Sequence, residues 1–236
     1  MDYKLINDDF MEFVKTVPDN SIDLIVTDPP YKTTSRGGTG NSGGMCKEKI
    51  FSKGQVFKYN NIEMKDYMPE LFRILKEGSH FYIMTNHKNL YEMLTVAQNV
   101  GFHFTKSLIW NKGNKIMGQA YMSQFEYILF FRKGKFKKIN YCGTPDILDV
   151  PNKKTKGKDG KNLHDTEKPV DLMRILIENS SNEGDIVLDP FMGIGSTVLA
   201  CLELGRIGIG VELDEYYANI AQKRIDDFRN GHLTNL

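Results

Sequence analysis

Cysteine is scarce in this chain. Cys46, Cys142 and Cys201 are the three cysteines among 236 residues. They are odd in number and scattered, with neither the pairing of a disulfide framework nor the spacing of a metal site. A reducing, cytoplasmic setting is expected, and no bound metal. No run of about 18 apolar residues occurs, so no membrane-spanning helix and no membrane partner is expected. The opening Met1-Asp2-Tyr3-Lys4 lacks a basic segment followed by an apolar one, so no secretory signal is expected. Excess charge is missing as well. A net charge of +1 excludes a molecule that binds polyanions over its whole surface.

What is present is enough apolar material, 40% of residues, for one sizeable core, and a single domain over 1–236 is expected. The charge is unevenly distributed. Residues 132–168 hold eleven Lys/Arg against five Asp/Glu, and residues 32–60 hold six basic residues against Glu48 alone. Two basic stretches on an otherwise acidic body suit a polyanion that touches one face. Either stretch alone reads more readily as a soluble Lys-rich loop.

Periodicity predicts strands at 3–6, 22–27, 80–84, 104–110, 125–131, 185–188 and 207–211. Helices are predicted at 8–17, 62–76, 87–100, 169–180, 196–204 and 214–228. Gly78 is the expected C-cap of the second helix, and Pro169 opens the fourth. Residues 32–60, rich in Gly, Ser and Lys, read as a mobile loop. Residues 133–166 lose periodicity and read as an inserted loop region or small subdomain. Strands alternating with helices predict an α/β fold with a mostly parallel sheet covered on both faces. Such sheets bind ligands beyond the carboxyl ends of their strands.

Two clusters occupy that kind of position. After the strand ending at Leu188 come Asp189-Pro190-Phe191-Met192-Gly193-Ile194-Gly195-Ser196-Thr197. The next strand ends at Glu212, nineteen residues beyond Gly193, close to the ~20 expected for an acid that takes ribose hydroxyls. The glycine pattern is incomplete, because Val198 stands where a dinucleotide site has its third glycine. That favours an adenosine compound without a pyrophosphate, S-adenosylmethionine. Taken alone the cluster could be an ordinary glycine turn, with Phe191 in the core. Only one strand follows this unit, so N-terminal strands must complete the sheet. The order is therefore permuted, with the acceptor site first and the donor site last.

The acceptor cluster is Asp28-Pro29-Pro30-Tyr31, directly after the strand at 22–27. The nitrogen of an aromatic amine is a poor nucleophile because its lone pair is delocalised into the ring. Hydrogen-bond acceptors on its two hydrogens favour a tetrahedral nitrogen. Asp28 and the Pro29 carbonyl supply such acceptors, and Tyr31 offers a face on which a base can stack. The attack is an in-line displacement at a methyl already activated by a sulfonium, so positioning and electrostatics carry the rate and no metal is needed. A base inside a duplex must first be rotated out of the stack, at a cost of a few kcal/mol. By itself Asp-Pro-Pro reads equally as a turn that ends a strand.

Taken together, these residues resemble the permuted β-class family of S-adenosylmethionine-dependent amino DNA methyltransferases. The likeness covers nearly the whole chain. Its specific anchors are Asp28-Pro29-Pro30-Tyr31, His164-Asp165-Thr166-Glu167-Lys168-Pro169 and Asp189-Pro190-Phe191 with Gly193 and Gly195. Trp110-Asn111-Lys112 and Phe125-Glu126 are weaker anchors. The resemblance implies a circularly permuted Rossmann-like methyltransferase fold. It further implies catalysis by Asp28, Pro29, Pro30 and Tyr31. Thr166 and Lys168 would hold the methionine end of the cofactor, and Asp28 would border it. Asp189, Pro190, Phe191, Gly193, Gly195, Ser196 and Thr197 would line its site. Glu212 would take the ribose, and Asp8 would lie near the cofactor adenine. The Asp-Pro-Pro-Tyr form is similar to that of adenine-N6 enzymes, whereas cytosine-N4 enzymes usually begin this motif with Ser. A site-specific adenine-N6 methyltransferase of double-stranded DNA is therefore expected, bacterial or phage-encoded. Cytosine-N4 transfer and a non-catalytic nucleic-acid-binding subunit are the alternatives. Residues 133–163 would form a short target-recognition insert. Its shortness makes a homodimer an expectation, and a companion restriction endonuclease is a further expected partner.

Overall fold

The structure, a computed structural model, describes residues 2–30, 62–116, 121–156, 160, 162–163 and 167–231. The loop expected at 32–60 lies outside the described residues. So do Tyr31 and residues 164–166.

Eight strands form one sheet in the order β1-β8-β7-β2-β3-β5-β4-β6. They are β1 (Tyr3–Asn7), β2 (Ile22–Thr27), β3 (Leu75–Thr85), β4 (His103–Ile116), β5 (Ser123–Arg132), β6 (Ile147–Asp149), β7 (Ile186–Asp189) and β8 (Ile207–Glu212). The helices are α1 (Phe10–Phe13), α2 (Met64–Ile74), α3 (Leu90–Val100), α4 (Val170–Ser180), α5 (Ser196–Glu203) and α6 (Glu215–Arg229). All paired neighbours run parallel except β3 with β5 and β5 with β4, so β5 alone is reversed. The late unit β7-α5-β8 is inserted between β1 and β2, which is the permuted, mostly parallel Rossmann-like arrangement.

The inner strands alternate between two cores, because successive side chains on a strand point to opposite faces. Leu24, Val26, Tyr82, Met84, Ile128 and Phe130 face α4, α5 and α6. Ile25, Phe81, Ile83, Leu129 and Phe131 face α1, α2 and α3. Both faces being covered explains the continuous apolar runs in β2 and β5. Among the described residues no helix is long and apolar enough to cross a membrane.

Three local expectations are corrected. The helix expected to run to residue 76 ends at Ile74, and β3 begins at Leu75. Gly78 is therefore no cap. It lies within β3 at φ 78°, the left-handed region open to glycine, and its amide bonds the Lys133 carbonyl at 2.8 Å. Pro169 stands at the N-cap of α4 instead of its first turn. The stretch 133–163 contains β6, which extends the main sheet by pairing with β4 at Ile109, Trp110 and Asn111. Its side chains Leu148 and Val150 enter the core that also holds Trp110.

Candidate active site

The acceptor and donor clusters meet at the carboxyl ends of adjacent strands. β2 and β7 are neighbours, with Leu24 opposite Val187 and Ile25 opposite Leu188. A buried hydrogen bond joins the two ends. Thr27 Oγ1 donates to Asp189 Oδ1 at 2.8 Å, across 162 residues of sequence. Asp189 also accepts from Thr197 Oγ1 at 2.6 Å and from the Phe191 amide at 3.1 Å. It is only 4% exposed, and burial pushes its pKa up to about 6 against these three donors. Asp189 thus fixes the turn and the start of α5 and does not itself project into a cleft.

The turn after Asp189 places Gly193 at φ 53° and Gly195 at φ 81°, which only glycine adopts without strain. The Gly193 amide donates to Glu212 Oε2 at 3.0 Å, and the Asp214 amide donates to Glu212 Oε1 at 2.9 Å. Burial, reinforced by Asp214 and Asp189, pushes the Glu212 carboxyl up to about 7 despite those two donors. Val198, in place of a third glycine, is accommodated from the strand side. A Cβ at Gly208 would sit 3.0 Å from Val198 Cγ1, and one at Gly210 would sit 2.9 Å from Val198 Cγ2. The close helix–strand approach has moved from the helix to β8. Ser196 and Thr197 are buried in the first turn of α5, and the Phe191 ring is half-buried. It meets Tyr67 edge to face at 5.3 Å and Phe10 at 5.8 Å. Asp8, exposed, follows β1, whose last residue Asn7 pairs with Glu212. Asp8 and Glu212 are thereby brought to one end of the sheet.

Asp28 and Pro30 are half-buried and Pro29 is buried. Lys168 donates to Asp28 Oδ2, while Asp28 Oδ1 is buried without a hydrogen-bond partner. Burial raises the Asp28 pKa above the ordinary carboxylate value, Lys168 opposes that rise and Glu126 adds to it. Tyr31 and Thr166, expected at this site, lie outside the described residues.

Glu167, Trp110, Lys112 and Glu126 lie in the anchors of the resemblance with no role assigned to them, and Arg224 lies outside those anchors. Glu167 and Arg224 form an ion pair at 2.8 Å with side chains 3% and 5% exposed. Glu167 Oε2 accepts from the Thr155 amide at 2.7 Å, and Arg224 Nη1 donates to the Ile194 carbonyl at 2.6 Å. Arg224 on α6 therefore clamps the glycine turn, residue 155 and the stretch carrying Lys168. Lys112 donates to Glu126, and Trp110 Nε1 donates to the Val150 carbonyl at 2.8 Å. A separate cavity of about 510 Å³ lies between β6 and α4, lined by Tyr141, Ile147, Ile175 and Asn179 and by none of these groups.

The basic stretch 132–168 does not form one surface. Arg132 pairs with His80 and His103, whereas Tyr127 pairs with Thr85, so the reversed β5 ends at the pole opposite Asp28. The exposed Lys135, Lys137 and Lys138 follow it there. Lys133 is 5% exposed, with Nζ donating to the Leu75 carbonyl at 2.8 Å. The exposed Lys153 and Lys156 follow β6 at the site's own end.

A family model described as DNA methylase, of the N6/N4 type, matches residues 22–223. The chain belongs to this DNA methylase family. The methylase is 31% identical over 255 residues to the Type II methyltransferase M.HpaI of Haemophilus parainfluenzae, covering 98% of this chain and 76% of the relative. It is 30% identical over 248 residues to the Type II methyltransferase M.HinfI of Haemophilus influenzae, covering 95% and 68%. The crystal structure of the M1.HpyAVI–SAM complex matches with a TM-score of 0.67 at 23% identity, over 94% of this chain and 99% of that one. That last likeness shows a common fold.

Proposed function

We infer that this DNA methylase transfers a methyl group from S-adenosylmethionine to N6 of an adenine rotated out of double-stranded DNA. The observation that carries this reading is the Thr27–Asp189 hydrogen bond, which ties together the strand ends that lead into Asp28 and the glycine turn. The donor end suits an adenosine compound. Glu212 presents a carboxylate at the end of β8, the glycine turn admits a ligand close to the backbone, and Phe191 offers a ring face. When bound, the donor supplies a methyl made electrophilic by its sulfonium.

This chain's own residues do the rest. Asp28 Oδ1, buried and unpartnered, accepts one hydrogen of the exocyclic amine, and the Pro29 carbonyl accepts the other. The nitrogen lone pair is thereby freed from the ring. The N–CH3 bond forms as the S–CH3 bond breaks, and the surplus proton on nitrogen passes to Asp28 and then to water. The raised pKa of Asp28 suits that acceptance. Lys168, Thr166 and Asp8 complete the donor site in this reading, and Tyr31 stacks on the base.

Residues 151–163 and their lysines form the part of the insert that meets DNA. So short a reading element favours a second copy or a partner to complete recognition, and Type II relatives favour a companion endonuclease. Labelled donor, DNA and hydrolysis to nucleosides test the proposal. N6-methyladenine is the expected product, and N4-methylcytosine alone would overturn it. Asp28→Ala should lower turnover at least ~100-fold with donor binding retained, and wild-type turnover would remove Asp28 from the chemistry.

A further inference from the structure

Behind Asp28 stands a row of four side chains of alternating charge, each from a different element. Lys112 of β4 donates to Glu126 Oε1 of β5. Lys168, before α4, lies 3.5 Å from Glu126 Oε2 and donates to Asp28 Oδ2. The four side chains are 11%, 19%, 9% and 19% exposed in the order Lys112, Glu126, Lys168, Asp28. Glu126 is set within β5. It pairs directly with Trp110, and the Lys112 ammonium sits 5.0 Å over the Trp110 ring. Glu126 Oε2 and Asp28 Oδ1 are both buried without a hydrogen-bond partner.

We propose that Glu126 is a positioning residue for the methyl transfer: anchored by Lys112, it holds part of the Lys168 ammonium's attraction and so keeps Asp28 Oδ1 open to the substrate amine. One ammonium between two carboxylates cannot neutralise both. With Glu126 in place, Lys168 stays on the Oδ2 side of Asp28. Without it, the ammonium loses the competing pull of Glu126 and can bridge both Asp28 oxygens, closing the acceptor and weakening it as a base. Lys112 acts in the opposite sense. By satisfying Glu126 it releases more of Lys168 to Asp28, and its own positive charge also reaches Asp28. Lys154 of the insert adds a further cation near Glu126 and Lys168. Among the described residues, Asp189 and the Tyr67 hydroxyl are further titratable groups near Asp28.

The inference rests on Asp28 acting as carboxylate in the proposed reaction, and its test is built to fail separately. The pH profile of kcat/KM is measured for wild type, Glu126→Gln and Lys112→Met, with donor Kd by calorimetry and Asp28→Ala as reference. Glu126→Gln is expected to lower kcat about tenfold and move the acid limb to lower pH, because a raising influence on Asp28 is gone. Lys112→Met is expected to move the same limb to higher pH. Donor Kd should stay within about twofold in both. A limb fixed at its wild-type position in both variants, however much activity falls, would make Glu126 a counter-ion for Lys112 and overturn the inference. Should Glu126→Gln fail to fold, the direction of the Lys112→Met shift decides alone. Full turnover in Asp28→Ala would instead sink the underlying reaction.

Discussion

Tyr67 carries a hydroxyl that is buried without a hydrogen-bond partner, on a residue 1% exposed. Burying an unsatisfied hydroxyl costs roughly 1–3 kcal/mol, and its removal at constant shape recovers part of that. Tyr67→Phe is expected to stabilise the unliganded protein by about 1 kcal/mol, a rise of about 2–4 °C in the unfolding midpoint. Differential scanning calorimetry checks it, and an unchanged or lower midpoint would show that the hydroxyl has a partner. Glu212 makes a second residue-scale case. A carboxyl raised to about 7 contributes stability in its protonated form, fully present below the ordinary carboxylate pKa and lost as pH rises through about 7. Ribose recognition needs the opposite, ionised form, because only the carboxylate accepts at both oxygens. Acidification from pH 8 to 6 should therefore weaken donor binding while the Glu212 contribution to stability of the empty protein grows. Subtracting the Glu212→Gln variant isolates both trends, and parallel curves for the two proteins would refute them.

At the scale of elements, Arg224 shows what the sequence left hidden. The sequence does not single it out, yet it is 4% exposed and holds Glu167, Ile194 and Thr155 together. Removing one partner of a buried ion pair strands the other's charge. Arg224→Met should cost about 3–5 kcal/mol, with the added substitution Glu167→Leu recovering much of it. Equal and additive losses in chemical denaturation would deny the coupling. Asp28 and the Asp189 cluster were legible because strand, turn and glycine signals are local. The Glu167–Arg224 and Lys112–Glu126 pairs were not, because single charged residues carry no signal of their distant partners. β6 was missed for a related reason. Three residues, Ile147–Asp149, are too few for a period, and their pairing with β4 decides their conformation.

Across the whole molecule, charge counted along the sequence does not show which of the described lysines share an end of the sheet. The reversal of β5 sends Lys135, Lys137 and Lys138 to the pole away from Asp28, while Lys153 and Lys156 stay beside the site. Phosphate contacts release counterions, so each lost contact flattens the dependence of affinity on salt. Lys153→Ala with Lys156→Ala should weaken DNA binding and reduce the log–log salt slope by about 1–2. Lys137→Ala with Lys138→Ala should leave both unchanged. Titrations by fluorescence anisotropy at several salt concentrations compare the pairs, and equal effects would mean that DNA spans both poles.

The insertion of β7 and β8 between β1 and β2 also governs when the protein can exist during its own synthesis. Until residue 212 has left the ribosome, β1 lacks its only neighbour and the Leu24–Ile25 edge of β2 lies open. A nascent chain released near residue 180 would display two unpaired strand edges, the templates on which aggregation starts. The methylase is thus committed to completing its centre last.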